Sequence, residues 1–330
     1  MRAIVQDRYG TSETLYLADI AQPSFGAREV LVQVEAASVD AGVLHLMTAE
    51  IPMVRLAFGL RKPRKRPGMT FSGIVKEVGA NVDHVVVGDR VLGTAAGTFA
   101  EVVSAKSNRV SRLPKEFGFL VGATLPVSAS TAFQAVVDHA KVKEGQKVLV
   151  TGASGGVGSF VVRIASSLGA EVTAVSRGEK SEYVKGLGAV KTIDYQGEEI
   201  YGLYDCIIDI ASPLPLDRTV QLMQPTGTLV IVGVASQKGS SGMARNFGAN
   251  FRSRFSKQNL LWFIQSEDRK DLDTLIQFLS KEEIEPKIDK SFLLEQTAEA
   301  IQHFTSGVAK GMTVIAIGEA AIAEHKSNQL

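Results

Sequence analysis

The sequence predicts a two-domain α/β protein: a turn-rich, β-barrel-like half followed by a doubly wound parallel sheet. Three observations carry the prediction. Residues 147–158, KVLVTGASGGVG, read as a strand, a glycine turn and the start of a helix. After Gly122, apolar strands and amphipathic helices alternate, the pattern of βαβ units. Before it, short strands are punctuated by Pro23, Gly26, Gly68, Gly79, Gly88 and Gly93, the pattern of antiparallel strands joined by tight turns. A chain of 330 residues is long enough to bury two cores.

In chain order, residues 3–6, 29–35 (EVLVQVE) and 72–78 (SGIVKEV) are strand candidates, the second alternating with period two. GDRVLG (88–93) and GTFAEVV (97–103) continue the antiparallel set. Residues 129–139 read as a helix opened by Ser130 or Thr131. Lys147–Thr151 is a buried parallel strand, and SFVVRIASS (159–167) a helix with an apolar stripe. Further buried strands follow at Glu171–Ser176, 205–210 and 228–233, with a helix at 216–223 between the last two. QNLLWFI (258–264) fits a sixth, outermost strand, 271–280 a helix and MTVIAI (312–317) a closing strand. The final residues, AIAEHKSNQL, read as a polar, frayed end.

The glycine turn offers a phosphate cradle. Glycines let the backbone approach a pyrophosphate, and a helix N-terminus presents unpaired N–H groups and a positive dipole end. The candidate cradle residues are Gly152, Ala153, Ser154, Gly155, Gly156, Val157 and Gly158, with Ala153 where the dinucleotide fingerprint has its first glycine. The competing reading is an ordinary tight turn. The next strand ends about 20 residues later, where the fingerprint places its ribose-reading residue. Ser176 and Arg177 stand there in place of an Asp or Glu, with Lys180 shortly after. This cationic set suits a 2′-phosphate and predicts NADPH over NADH; a solvated helix start is the alternative.

A net charge of +1, with 45% hydrophobic and 22% charged residues, describes a soluble enzyme with no bulk attraction to nucleic acid or membrane. No apolar run reaches the roughly 18 to 20 residues that a membrane span needs, and a cytoplasmic location is expected. The single cysteine, Cys206, lies in the apolar run YDCIIDIA and reads as a core thiol.

The ordered set EVLVQVEAASVD, PGMTFSGIVKEVG, GDRVLG, TFAEVV, ATLPVSASTAFQAV, KVLVTGASGGVG and LGAVKTIDY resembles the medium-chain dehydrogenase/reductase superfamily, most of all its zinc-independent quinone oxidoreductase branch. The resemblance spans nearly the whole chain. It implies a GroES-like catalytic domain over residues 1–123 and 267–330 and a Rossmann NADP-binding domain over 124–266. It also implies a homodimer through the outer Rossmann strand. Tyr195 matches a family tyrosine near the adenosine phosphate, and Gly233 the loop that passes the nicotinamide carboxamide. Thr131 matches the threonine that abuts the nicotinamide, with a helix N-cap as the plainer reading.

Zinc-dependent relatives carry ligands at the positions that here read Asp40, Met69 with Thr70, and approximately Val127. One carboxylate cannot make a zinc site of about four ligands, so no metal is expected. Without a metal to polarise an oxygen, quinones and α,β-unsaturated carbonyls become the fitting acceptors. Asp40 and His45 are the candidates at the reacting end beside Thr131. Asp40 could instead cap the helix that follows, and His45 could be a partly buried structural histidine. A metal-free carbonyl or alcohol oxidoreductase, and an NADPH-binding protein with little turnover, remain the alternatives. Residues 55–67, RLAFGLRKPRKRP, form a basic run with Arg61, Lys62, Arg64, Lys65 and Arg66, either a solvated loop or a patch for an anionic partner.

Overall fold

A computed structural model describes residues 1–50, 55, 59, 60, 63, 66–232 and 257–328 of the protein. The chain divides into two units, Met1–Val127 with Glu267–Phe278 and Glu285–Leu330, and Ser128–Ser266 with Leu279–Ile284. The fold is the α/β architecture that the sequence predicts: a GroES-like antiparallel unit and a doubly wound parallel sheet.

In the first unit, β1 (Arg2–Gln6) pairs antiparallel with β2 (Leu15–Asp19). The spine is β3, which runs over Glu29–Val39, longer than its alternation suggests. It pairs with β4 (Thr70–Val78), which passes to β5 (Arg90–Thr94). Two register shifts in the β3–β4 ladder bend the strands, as bulges do in a curling sheet. β6 (Val102–Lys106) returns to β3, and β7 (Val110–Arg112) pairs with β5. Val30, Val32 and Val34 face inward from β3 onto Phe71 and Phe99, the centre of the core. The candidate strand 97–103 begins only at Val102. Gly97 adopts a φ of +78° and its N–H bonds the Gly68 carbonyl, which hooks this segment across 67–69 and out of the ladder.

The second unit is a six-stranded parallel sheet. Its strands are β8 (Lys147–Thr151), β9 (Glu171–Ser176), β10 (Lys191–Asp194), β11 (Tyr204–Asp209), β12 (Met223–Val232) and β13 (Asn259–Phe263), in the order β10-β9-β8-β11-β12-β13. Every neighbouring pair is parallel. The chain moves outward from β8 in one direction and then crosses to β11 for the other, so the order reverses between β8 and β11. A crevice for a ligand opens at the strand ends at such a switch point. Leu149, Val175, Ile207, Leu229, Ile231 and Leu260 form the core of this unit, with Trp262 against it.

The helix predicted over 129–139 starts earlier. A helical path runs through Leu125–Ala129, Ser130–Phe133 and Gln134–His139, and Ala129 is already right-handed helical without a side-chain cap. Thr131 is therefore inside the helix, and the N-cap reading fails. Cys206 is buried as expected, and burial pushes its thiol up to about 11, an inert core group.

The chain ends in the first unit. β14 (Ile288–Leu293) lies parallel to β15 (Met312–Ala316), and β15 joins β3 antiparallel. The expected frayed end is instead a helix, Glu319–Ser327, with Ala321 and His325 buried. Two carboxylates hold it. Glu35 Oε2 accepts from the N–H groups of Ala320 (3.0 Å) and Ala321 (3.2 Å), satisfying the helix's first turn. Glu324, on the same helix, accepts from the N–H groups of Phe119 (2.9 Å) and Leu120 (3.0 Å), capping the short helix Phe119–Gly122. A side chain at Gly118 would meet the Glu324 carboxylate at 2.9 Å, so glycine keeps that approach open.

Glu324→Ala strands two N–H groups, and capping losses cost about 1–2 kcal/mol. Urea denaturation of this variant is expected to show that loss with an unchanged m-value; unchanged stability would remove the capping role.

Candidate active site

The glycine turn after β8 is a rigid cradle. Gly152 has φ of +66°, and a Cβ there would meet the Ala211 Cβ at 3.0 Å. The Gly155 N–H closes the turn onto the Gly152 carbonyl at 3.1 Å. At Gly158 a Cβ would collide with the Gly152 carbonyl oxygen and lie 2.8 Å from the Ala153 Cα. Only glycine lets the helix Gly156–Ser167 press this closely on the strand end. Gly155 is the reverse case: it is exposed, and a Cβ would meet nothing nearer than the Gly152 oxygen at 3.5 Å.

The first intrahelical bond runs from the Ser159 N–H to the Gly155 carbonyl, so the N–H groups of Gly156, Val157 and Gly158 precede the ladder. Ala153 and Ser154 are buried, and the Ala153 N–H is taken by the Val175 carbonyl at 3.2 Å. Open space at Gly155 above a helix start is the shape a pyrophosphate requires, and these residues fit a dinucleotide. The sequence reading missed the support behind the turn. Thr151 donates to Asp209 at 2.8 Å and accepts from the N–H groups of Ile210 (3.1 Å) and Ala211 (3.3 Å), locking together the ends of β8 and β11.

At the end of β9 the structure brings Ser176, Arg177 and Tyr195 together. The Tyr195 N–H bonds the Ser176 carbonyl at 3.3 Å, and Arg177 Nε donates to the Tyr195 hydroxyl at 3.3 Å. That hydrogen bond raises the guanidinium's pKa further, so Arg177 stays a fixed cation. Lys180 is not the solvated helix start of the alternative reading: it is 5% exposed. Asp194 was also missed. It is in register with Ser176 across β9–β10, accepts from the Gln196 N–H at 3.0 Å and places Oδ2 2.6 Å from where a Cβ of Gly178 would stand. Two carboxylates therefore stand at the turn that carries Arg177: Asp194, and Glu179, whose Oε1 lies 3.9 Å from an Arg177 terminal nitrogen. Thr131 donates to Gln265 Oε1 at 3.2 Å. Gly233 lies outside the described residues.

In the first unit, Asp40 is the N-cap of the helix Ala41–Thr48, with Oδ1 accepting from the Val43 N–H at 3.0 Å. The capping role is thus real, and it uses one oxygen. Asp40 is 5% exposed, and Oδ2 is buried with no hydrogen-bond partner. Burial drives its carboxyl up to about 6, against the pull of the Val43 and Gly42 N–H groups and with a smaller push from Glu267. His45, further along this helix, has its pKa lowered by burial, with Glu50 opposing. No hydrogen bond joins the two among the described residues.

The residues at the zinc-ligand positions do not fit a zinc site. A Cβ at Gly42 would lie 3.0 Å from Asp40 Oδ1 and 2.9 Å from the Met69 sulfur, a weak thioether ligand. The Thr70 hydroxyl is engaged with the Ser38 hydroxyl at 2.8 Å. Among the described residues, no three of His, Cys, Asp and Glu converge around one point.

Comparison with known proteins agrees with this architecture. Residues 26–115 match the alcohol dehydrogenase GroES-like domain, and residues 187–315 a model described as zinc-binding dehydrogenase. The Homo sapiens quinone oxidoreductase is 31% identical over 251 residues, 71% of this chain and 73% of its own length. The mitochondrial NAD(P)H oxidoreductase of Homo sapiens is 29% identical over 354 residues, 96% of this chain and 89% of that protein. The solved quinone oxidoreductase of Coxiella burnetii superposes with a TM-score of 0.81 at 25% identity, covering 96% of this chain and 99% of that one. The chain belongs to the medium-chain dehydrogenase/reductase superfamily, in its quinone-oxidoreductase-like branch.

Asp40 also sets a stability signature. Its folded pKa of about 6 lies above the ordinary aspartate value of 3.8, so its contribution is full below pH 4 and is lost as pH rises through 6. The loss is on the order of 3 kcal/mol. Asp40→Asn keeps the cap and removes the titration, so its unfolding free energy is expected to lack the wild-type fall between pH 4 and 6 in urea titrations. An unchanged fall would place the titration elsewhere.

Proposed function

We propose that the protein is a zinc-independent, NADPH-dependent reductase of quinones or α,β-unsaturated carbonyls. The observation that carries this reading is the cradle formed by Gly152, Gly155 and Gly158, with Ser176 and Arg177 at the end of the neighbouring strand. Its membership of an oxidoreductase family that includes an NAD(P)H oxidoreductase supports the same reading.

When bound, the reduced dinucleotide supplies a hydride. The chain's own residues do the rest. The N–H groups of Gly156, Val157 and Gly158 hold the pyrophosphate, and Ala153 and Ser154 close the turn behind it. Ser176, Arg177 and Lys180 receive the 2′-phosphate with Tyr195 holding the guanidinium, and Asp194 tempers that pocket's positive charge. Thr131, through Gln265, orients the nicotinamide end, and Gly233 belongs to the loop beside it. Asp40 holds a proton at Oδ2, and His45 is a second, separate candidate for moving a proton in this unit. A carboxyl near pH 6 can donate a hydrogen bond to a carbonyl oxygen as that oxygen gains charge. With one carboxylate and a thioether at the ligand positions, the acceptor must be one that needs no Lewis acid, which selects quinones and enones.

We also propose a homodimer through β13. This strand ends the sheet, Leu261, Trp262 and Phe263 are half-buried, and Ile264 is 80% exposed. A monomer at micromolar concentration by light scattering would contradict it.

The functional test is a panel of 1,2-quinones, 1,4-quinones, 2-alkenals and cyclic enones with each dinucleotide, on protein assayed for metal. Turnover of a quinone or enone with NADPH, and no stoichiometric zinc, is expected. Stoichiometric zinc, or tight NADPH binding with no turnover anywhere in the panel, would overturn the proposal. Arg177→Gln is expected to narrow the kcat/KM ratio of NADPH to NADH about tenfold, the effect of losing one charge-assisted contact worth about 1.4 kcal/mol.

A further inference from the structure

We propose that Gln134 is a positioning residue for hydride transfer: it clamps the chain leaving β13, so that Gln265 meets Thr131 in one fixed geometry at the nicotinamide end. The inference deepens the proposed reductase activity and rests on it for the role of Thr131.

β13 ends at Phe263, opposite Val232. Past it the chain alternates, with Ile264 and Ser266 exposed and Gln265 half-buried between them. Exposed residues bring little apolar burial to hold such a segment in place. Gln134 supplies what a neighbouring strand would. Its Oε1 accepts from the Ser266 N–H at 3.0 Å, and its Nε2 donates to the Ser266 carbonyl at 3.2 Å. The side-chain amide thus pairs with one residue's donor and acceptor together, as a peptide group does in a ladder. Gln134 is 5% exposed, so this pairing is made away from solvent, where an amide needs its partners most.

Thr131, one turn earlier on the same helix, donates to Gln265 Oε1 at 3.2 Å. Two successive residues beyond β13 are thereby tied to two residues three apart on the helix. A third contact follows the same face: His139 and Phe263 stack with ring centroids 4.2 Å apart. At about 3.6 residues per turn, a side chain five positions after Gln134 would lie well round the helix. Here the turn is widened. The Ala140 N–H reaches back five residues to the Ala135 carbonyl at 2.9 Å, which brings position 139 toward the line of position 134. The helix therefore grips β13 and its exit at three points.

Gln134 acts through its neighbours. Holding Ser266 fixes the backbone of Gln265, and from there the Gln265 side chain reaches Thr131. A misplacement of about 1 Å can cost about a hundredfold in rate, so slack at residue 265 lowers turnover. The phosphate contacts of Gly156, Val157, Gly158 and Arg177 form no hydrogen bond with Gln134 among the described residues, and they survive its loss.

Gln134→Met keeps the length of the side chain and removes both hydrogen bonds. With NADPH and a quinone that wild type reduces, kcat is expected to fall about tenfold, and the isotope effect from NADPH deuterated at the transferred position to rise. Binding of 2′,5′-ADP, which has the 2′-phosphate and no nicotinamide, should stay within about twofold. Gln134→Glu gives the signature that a merely structural role would not: its protonated carboxyl reproduces the amide's donor and acceptor, and its ionised form repels the Ser266 carbonyl. Its kcat relative to wild type is expected to recover as pH falls, while that of Gln134→Met stays flat. Unchanged kcat and isotope effect in Gln134→Met, or a Gln134→Glu ratio independent of pH, would overturn the clamp. So would a loss of 2′,5′-ADP binding as large as the loss of kcat, which marks general damage to the unit. If wild type binds NADPH and reduces no acceptor, the reductase reading fails, and the fluorescence lifetime of the bound nicotinamide decides the clamp: shortening in Gln134→Met upholds it, and no change overturns it.

Discussion

A single close approach governs the second unit. The Gly156–Ser167 helix starts so near the end of β8 that a methyl group at position 158 would occupy the Gly152 carbonyl oxygen. That approach fixes the height of the helix N-terminus over the strand ends and leaves Gly155 facing open space. The Thr151–Asp209 bond holds the neighbouring strand end in place, so the crevice at the switch point is set by backbone and buried polar groups. A site built this way is rigid before any ligand arrives, which lowers the ordering cost of binding.

The first unit uses polar groups in a different manner. Asp40 caps a helix with one oxygen and leaves the other buried and unpartnered, so the residue that makes the local structure also keeps a proton near pH 6. Glu35, through backbone and carboxylate, and Glu324, through its carboxylate, tie the C-terminal helix into this unit. Burial pushes Glu35 upward as well, against two N–H groups as at Asp40, but among the described residues no buried Glu35 oxygen is left without a partner. The contrast separates a structural carboxylate from one with unspent hydrogen-bonding capacity.

What the sequence made legible was local. An apolar run followed by glycines at 152, 155 and 158 identifies β8, the turn and the helix, because strand burial and close approach leave their marks at the residues concerned. The terminal helix was illegible: EAAIAEHKS is polar, and its first turn is satisfied by Glu35, 285 residues earlier. Ser130 and Thr131 resemble an N-cap by residue type, yet the helix is already running from Leu125, which no local signal at Thr131 reveals. Asp194 stands in plain view in TIDY, but only the parallel register of β10 on β9 sets it opposite Ser176. For Lys180 the sequence left a solvated helix start open as the alternative to a phosphate-reading role, and the fold buries the residue.

The central claim is that the cradle and the Arg177 pocket select a 2′-phosphorylated dinucleotide. Isothermal titration of the full chain with NADPH and NADH, without acceptor, tests it most directly. The account predicts NADPH binding at least tenfold tighter, with the gap narrowing as salt screens the exposed Arg177 guanidinium. Equal affinities, or tighter binding of NADH, would contradict it.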